Sequence, residues 1–343
     1  MRWDDLDWTI LDRLREGFLS GAAARGPYWQ STADLTQYDA TFGERIGWKW
    51  DAVLGELVRR GWSPPAPTEP DRGLTVADWG CGSGIAGRRV IAAFDPARVG
   101  TLLVHDHSPL AREFAARRAR EQFPHLHTAE LGPEAAIDLL VVSHVLNELS
   151  AESRRHLRDA LEQARAILWV EPGTHSVSRD LATWRESLRS TFRVIAPCTH
   201  TAACGMLAPE NAQHWCHAFA PPPSGIYADS DWVKFGQRAG IDLRSLPYCF
   251  LALDQTSGVT QAAAPDGLST ARIIGDARHY KGYAKVLSCE ATGLVDLTLQ
   301  KRDAPELFKA LKRGPSLPIY RWRREGERIK DAITPYPEAP DAT

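Results

Sequence analysis

Four apolar runs recur along the middle of the chain: LTVADWG (74–80), TLLVHDH (101–107), IDLLVVSHV (137–145) and ARAILWVEPG (164–173). They lie about 25–35 residues apart with amphipathic stretches between them, the pattern of βαβ units whose parallel sheet is buried on both faces. Helices are expected from about Ser83, through ARRAREQ, from about Glu152 and over 177–190, and FRVIAP (192–197) and CFLALD (249–254) predict two further strands. Upstream, Ile10 to Trp62 carries aromatic and aliphatic residues at helical intervals until SPPAPTEPDRG (63–73), whose four prolines no helix crosses. Residues 198–248 form an insert rich in Cys, His, Trp and Pro, too long for a structureless loop unless something such as a metal orders it. Beyond Pro265, short β-like runs separated by Gly precede the basic helical stretch PELFKALKR. The expected organisation is a helical region (1–70), a doubly wound, Rossmann-like α/β domain carrying the insert (71–255), and a small β-rich module with a basic tail (256–343).

Composition narrows the class. Hydrophobic residues make up 43% and charged residues 24% of 343 positions, which excludes a disordered, collagen-like or disulfide-dense chain. No apolar run reaches the roughly 18–20 residues of a membrane helix. The N-terminal MRWDDLDW has neither secretory nor transit character, so a soluble cytosolic protein is expected, without a membrane partner. A formal charge of -2 argues against a protein basic overall. Residues 301–330 are locally basic, with Tyr320 and Trp322 set between arginines, a composition suited either to phosphate contact and base stacking or to a solvated tail. Arg45, Trp48, Lys49 and Trp50 in the helical region read either as a cover for a cofactor, as an RNA contact, or as helix packing.

Chemistry concentrates at two places. Asp78-Trp79-Gly80-Cys81-Gly82-Ser83-Gly84 stands at a strand-to-helix turn, and Asp106 ends the next strand. Glycines let backbone approach a ligand closely, helix N-terminal N–H groups favour anions, and a carboxylate after the second strand can accept from ribose hydroxyls, so a nucleoside-containing cofactor is implied. The dinucleotide fingerprint would need Gly where Ile85 stands. Cys81 reads as a small packing residue. The second place is Cys198-x-His200-x3-Cys204 followed by Trp215-Cys216-His217, with His214 nearby. Clustered Cys and His in a cytosolic chain more often ligate metal than form disulfides, but C-x-x-C is missing, so spacing alone leaves zinc, an iron-sulfur cluster and no metal open. Cys249 lies in an apolar run and reads as core.

The D-x-G-x-G-x-G form resembles the first motif of class I S-adenosylmethionine-dependent methyltransferases, which implies that cofactor on Asp78, Gly80, Gly82, Gly84, Asp106 and Ser143. In such enzymes the ends of strands four and five face the transferred methyl group, which makes His144, Asn147 and Glu171 the catalytic candidates here. The [D/N/S]-P-P-[Y/F] motif of adenine amino-methyltransferases is absent. Pro197-Cys198 follows a later strand than the Pro-Cys nucleophile of RNA cytosine-5 methyltransferases.

APC-x-H-x3-C, WCH, VEPGT, VLNEL and KGYAKVLSCEATG together resemble the methyltransferase-like family of mitochondrial small-ribosomal-subunit assembly factors and their bacterial relatives, over about Tyr28 to Lys301. That resemblance implies a [4Fe-4S] cluster on Cys198, Cys204, Cys216 and Cys289, and the small ribosomal subunit or its rRNA as partner. Thr199 and Gly205 stand where the family often has Pro. Three functions follow as expectations: methylation of the subunit or assistance in its assembly; a noncatalytic assembly or RNA-binding factor that keeps the fold as a scaffold; or a small-molecule methyltransferase with a zinc-stabilised insert.

Overall fold

A computed structural model describes residues 1–20, 28–67, 70–255, 268, 270–313 and 317–336. Thr68 and Glu69 of the proline-rich linker, and residues 256–267 after the expected second boundary, lie outside the described residues.

In chain order the principal elements are α1 (Trp8–Leu19), α2 (Thr32–Tyr38), a π-helical turn (Asp39–Gly43), α3 (Glu44–Arg59), β1 (Leu74–Trp79), α4 (Ile85–Ala93), β2 (Val99–His105), α5 (Pro109–Gln122), β3 (His127–Glu130) and β4 (Ile137–Ser143). There follow α6 (Ala151–Gln163), β5 (Ala164–Pro172), α7 (His175–Leu188), β6 (Arg193–Ala196), β7 (Ala218–Phe219), α8 (Ser230–Ala239), β8 (Pro247–Asp254), β9 (Thr270–Tyr280), β10 (Tyr283–Glu290), β11 (Gly293–Gln300), α9 (Pro305–Arg313), β12 (Ile319–Glu325) and β13 (Arg328–Ile333). Local chemistry sets several boundaries: Asp7, Ser31, Ser108, Ser150 and Asp229 cap the N-termini of α1, α2, α5, α6 and α8 by accepting from backbone N–H groups. The chain divides into two compact units.

The first unit comprises Met1–Gly55, Ser63–Glu171 and Phe219–Tyr248. Its strands run parallel in the order β3-β2-β1-β4-β5. Every residue of β1 is buried, and β4 is buried up to Ser143, which explains their near-continuous apolar sequence. Because β1 lies between β2 and β4, the chain leaves it in opposite directions on its two sides, and a crevice opens at the carboxyl ends of β1 and β4. The glycine loop and Ser143–Glu148 both sit there. Leu14, Trp29 and Leu35 from the N-terminal helical region pack with Ala111 and Phe114 of α5. Among the described residues no helix is long and apolar enough to cross a membrane.

The second unit comprises Glu56–Trp62, Pro172–Ala218 and Cys249–Thr343. In it β6 and β8 pair antiparallel. The C-terminal β module is a closed barrel in the order β10-β11-β13-β12-β9, antiparallel except where β11 meets β13. Ala271, Ile273, Val286, Leu297, Leu299, Tyr320, Trp322 and Ile329 fill it. This corrects the reading of residues 301–330 as a tail with base-stacking aromatics. Tyr320 and Trp322 are 3% and 4% exposed. Their rings stack on each other with centroids 4.8 Å apart, and Trp322 donates from Nε1 to Ser288 Oγ at 2.9 Å. Arg321 between them and Arg323 beyond alternate with the buried rings along β12, so the basic stretch closes a barrel.

Beside the barrel strand β9, Arg272 makes a bidentate pair with Glu56 (2.7 and 3.0 Å), and Arg60 reaches the same carboxylate at 2.8 Å. All three side chains are 4% exposed. Burial opposes ionisation of Glu56, but the two guanidiniums hold its carboxyl below the usual range. Replacing Glu56 by Ala leaves two buried guanidiniums uncompensated and is expected to lower the unfolding free energy by about 3–5 kcal/mol in a urea titration. A loss below about 1 kcal/mol would mean that water reaches the trio.

Candidate cofactor and cysteine sites

In the first unit the loop after β1 is turned by three glycines with φ of 71° (Gly80), 49° (Gly82) and 74° (Gly84). Their reasons differ. A Cβ on Gly80 would stand 2.5 Å from Val145 Cγ1, and one on Gly84 would stand 2.8 Å from Ala115 Cβ. A Cβ on Gly82 would meet nothing within 4 Å, so at that position the loop faces open space. Asp106 is nearly buried and fixes the loop: Oδ2 accepts from the Gly82 N–H at 3.0 Å and Oδ1 from the Ser108 N–H at 2.9 Å. A carboxylate offers about four acceptor positions, so two are left for hydroxyl donors. Asp78 lies below the loop, where Oδ2 accepts from the Gly87 N–H at 3.1 Å and ties β1 to α4; burial pushes its carboxyl up to about 7.

The carboxyl end of β4 carries the remaining candidates. Trp50, fully buried, donates from Nε1 to Ser143 Oγ at 2.9 Å. Ser143 Oγ lies 3.3 Å from His144 Nδ1, and Lys49 Nζ lies 3.2 Å from His144 Nε2. His144 has a φ of 56°, a conformation that a non-glycine residue adopts at a cost. Burial and the neighbouring Lys49 ammonium depress its pKa well below the ordinary value, so the ring is neutral. Asn147 is exposed on the short turn Leu146–Glu148. Glu171 is fully buried and accepts at Oε1 from the N–H groups of Val145 (3.0 Å) and Leu146 (3.3 Å) and from Trp169 Nε1 (2.7 Å). That carboxylate shapes the loop after β4. Of the helical-region residues, Lys49 and Trp50 reach the β4 end, while Trp48 packs on Trp232 and Arg45 donates to the Asp242 carbonyl.

Three groups at this place went unread in the sequence. The partly buried Glu148 has its pKa pushed up to about 8 by burial, then by Asp106 and Glu171. Burial and the Glu148 charge raise the Tyr28 and Tyr38 phenols, and Asp106 acts on Tyr28 as well. The two tyrosines and the two carboxyls therefore share one electrostatic neighbourhood in front of the glycine loop. No periodicity or spacing signals it, because Tyr28 and Glu148 meet only through the tertiary fold. Since the folded pKa of Glu148 lies above its ordinary value of 4.5, this group favours folding most below about pH 4.5 and loses that contribution as pH rises through about 8. Glu148→Gln is thus expected to match the parent near pH 4.5 and to exceed it by on the order of 2 kcal/mol at pH 8.5, checked by denaturant titrations across that range. A constant difference at all pH values would exclude the shift.

In the second unit the cysteine loop starts where β6 ends. Arg60 donates to the carbonyls of Ile195 (2.6 Å), Pro197 (2.9 Å) and Cys198 (3.2 Å), and Arg185 donates to the His200 carbonyl at 3.1 Å. The Cys204 N–H donates to Glu186 at 3.0 Å, and Ser178 Oγ donates to the Cys216 carbonyl. Arg179 gathers the carbonyls of Met206, Asn211 and His214. Cys289 stands on β10, in register with Arg272 of β9 and Leu294 of β11, and its Sγ lies 3.9 Å from His200 Nε2. Two thiols here are raised with their neighbours' help: Cys216 is pushed up to about 12 by burial, then by Cys198, and Cys289 is raised by burial, then by Cys198, Cys216 and Cys204. Cys204 is raised by burial and Cys198. Cys249 is buried on β8, its thiol 3.4 Å from the Pro172 carbonyl, and Cys81 is buried in the first unit. Among the described residues no set of three or more His, Cys, Asp or Glu side chains is arranged to hold a metal ion.

No curated protein matches the chain. Similar solved structures include the plantazolicin methyltransferase BpumL in complex with S-adenosylhomocysteine (10% identity, 72% of this chain and 100% of that one, TM-score 0.39). A geranyl diphosphate methyltransferase in complex with S-adenosylmethionine is 15% identical over 68% of this chain and 94% of that one, TM-score 0.34. TrmK of M. capricolum in complex with S-adenosylhomocysteine is 8% identical over 54% of this chain and 63% of that one, TM-score 0.30. The sequence pattern of the family described as mitochondrial small ribosomal subunit Rsm22 matches residues 84–314, about two thirds of the chain. That description names a mitochondrial subunit, which departs from the cytosolic expectation. Because that match takes in about two thirds of the chain, from Gly84 at the end of the glycine loop through β2 to α9, the chain belongs to the Rsm22 family.

Proposed function

We propose that this protein binds S-adenosylmethionine at the glycine loop, holds a [4Fe-4S] cluster on Cys198, Cys204, Cys216 and Cys289, and acts on the small ribosomal subunit or its rRNA. The observation that carries the cofactor reading is the open space over Gly82 beside the two acceptor positions left on Asp106. Those positions suit the paired hydroxyls of a ribose. Gly80 and Gly84 serve packing, Asp78 secures the loop from below, and Ser143 borders the cofactor's far side. The ribosomal context comes from the family. The cofactor, when bound, supplies an activated methyl group.

Two roles for the loaded protein differ in what His144 does. As a methyltransferase, the neutral imidazole is the group able to take a proton from the acceptor. The engagement of both ring nitrogens, by Ser143 and Lys49, favours the second role, a noncatalytic assembly factor in which the methyltransferase fold is a scaffold. Asn147 and Glu171 are the weaker candidates: one lies on an exposed turn, and the other is spent on backbone N–H groups.

The cysteine site suits an anionic, thiolate-held group. Arg60, Arg185 and Arg272 are all buried around it; Arg60 and Arg272 share the fully buried carboxylate of Glu56, and Arg185 pairs with the partly exposed Glu186. Buried positive charge in excess calls for negative charge nearby. Four thiolates holding iron would supply it, and the metal's charge would offset the burial and the neighbouring thiols that raise Cys204, Cys216 and Cys289. The cluster's role is structural: three ligands close the insert and the fourth joins it to β10.

The first test is transfer of labelled methyl from S-adenosylmethionine to small subunits isolated from a deletion strain, with Asp106→Ala and Gly82→Ala as controls. Label in the rRNA that both substitutions remove would establish a methyltransferase. Cofactor and subunit binding without label would establish the assembly factor, and a parent protein that does not bind the cofactor would end the cofactor reading. Gly82→Ala is expected to weaken cofactor binding about tenfold or more in calorimetry, because its Cβ enters the open space and its φ of 49° strains the loop. Anaerobically purified protein is expected to carry about four iron and four sulfide per chain, and Cys204→Ser and Cys289→Ser to lose most of both. Iron and sulfide retained in both variants, or zinc in their place, would refute the ligand set.

A further inference from the structure

The barrel presents an aromatic and basic rim on the side away from its core. Numbered from β9, its five strands pair in the cyclic order first, second, third, fifth, fourth, with the third and fifth parallel and α9 between the third and fourth. This is the arrangement of OB-fold barrels, many of which bind oligonucleotides over the second and third strands and the adjoining loops. Fold alone assigns no function, so the surface itself must carry the argument.

Along β9 and β10 the side chains alternate. Val286 and Ala284 point into the core, while Tyr280, Arg278, Tyr283 and Lys285 face outward. Tyr280 and Tyr283 pair directly across the β9–β10 turn, their rings stacked at 4.7 Å and 10°. Tyr280 is 47% exposed. Such a stack leaves aromatic face open to water, and a planar, apolar ligand would cover it. Positive charge surrounds the pair. Lys281 lies in the turn, and the Lys301 N–H donates to the Gly282 carbonyl at 2.9 Å, which brings exposed Lys301 and Arg302 to the same rim. The opposing carboxylates are largely answered: Asp296 pairs with Arg278 (2.5 Å) and Lys285 (3.4 Å), and Asp303 pairs with Arg328 (2.7 Å). Asp276, also exposed, is the remaining acid on β9.

We propose that this rim, formed by Tyr280, Tyr283, Lys281, Lys301 and Arg302, binds single-stranded RNA, with bases stacking on the tyrosines and phosphates meeting the basic side chains. Stacking needs unpaired bases, which a duplex hides, so the surface selects single strands. The choice of RNA over other single strands rests on the ribosomal reading above.

The test measures anisotropy of a labelled uridine oligonucleotide of about 12 nucleotides, and of a duplex RNA of equal length, against the full chain purified anaerobically without methyl donor. The parent is expected to prefer the single strand. The double substitution Tyr280→Ala, Tyr283→Ala should weaken that binding about tenfold or more, whereas Tyr280→Phe, Tyr283→Phe should stay within about twofold. Lys281→Glu, in an exposed turn with no packing to lose, should lower the salt dependence by about one phosphate contact. It remains a test if the alanine variant does not fold. The proposal fails if the parent does not bind the strand, if the folded alanine variant binds as the parent does, if the Phe variant falls as far as the Ala variant, or if Lys281→Glu leaves the salt slope unchanged. The assay uses neither cofactor nor ribosomal subunit, so failure of methyl transfer or of subunit binding is a separate result.

Discussion

Buried charge that has to be balanced governs the second unit. Two guanidiniums share the carboxylate of Glu56, and the same guanidiniums reach out to carbonyls around Cys198, so one electrostatic knot fixes a helix end, a barrel strand and the cysteine loop. Arginine suits this work because its planar fork satisfies a carboxylate and several carbonyls at once. An apolar substitute would fill the same space but would hold no loop. Carbonyls of the loop that accept from Arg60, Arg179 and Arg185 hold in place a segment rich in Pro and short of long apolar runs.

In the first unit carboxylates do similar work for the backbone. Glu171 gathers the amides after β4, Asp106 gathers those of the glycine loop, and Asp78 holds the first turn of α4. Residues that look like acids and bases in a sequence hold neighbouring backbone in all three cases, Asp106 with two acceptor positions left. The group with the perturbed character expected of a reactive carboxyl is Glu148, whose neighbours Tyr28 and Asp106 come from distant parts of the chain.

How much of this was legible follows from where each signal resides. Strands β1, β4, β5 and β8 were visible because burial on both faces leaves near-continuous apolar sequence, β2 and β6 because Val, Ile and Leu recur at their buried positions, and the glycine loop because its turn needs residues that tolerate positive φ. The edge strand β3, with the polar sequence HTAE, gave no such signal. Helix α8 was hidden inside a segment read only for its Cys and His, although Asp229 and Gly240 mark its ends. The misreading of Tyr320 and Trp322 has a plain cause. YRWRR alternates apolar and charged residues with a period of two, the signature of a strand with one face buried, and charge count alone obscured it. The tyrosines left outside, at 280 and 283, sit in a segment whose Gly-rich turn carried no sign of which face would be wet.

Gly205 and Gly293 show what tight apposition does. A Cβ on Gly205 would stand 2.7 Å from the Cα of Gly293, itself at a φ of 123°. In an ordinary core contact, a gain of volume on one side can be offset by a smaller residue opposite. Here neither partner has a side chain to give up, so no compensating exchange exists. A residue with a Cβ at 205 fits only where the two backbones stand further apart, so what occupies this one position sets how closely the cysteine loop lies on the barrel.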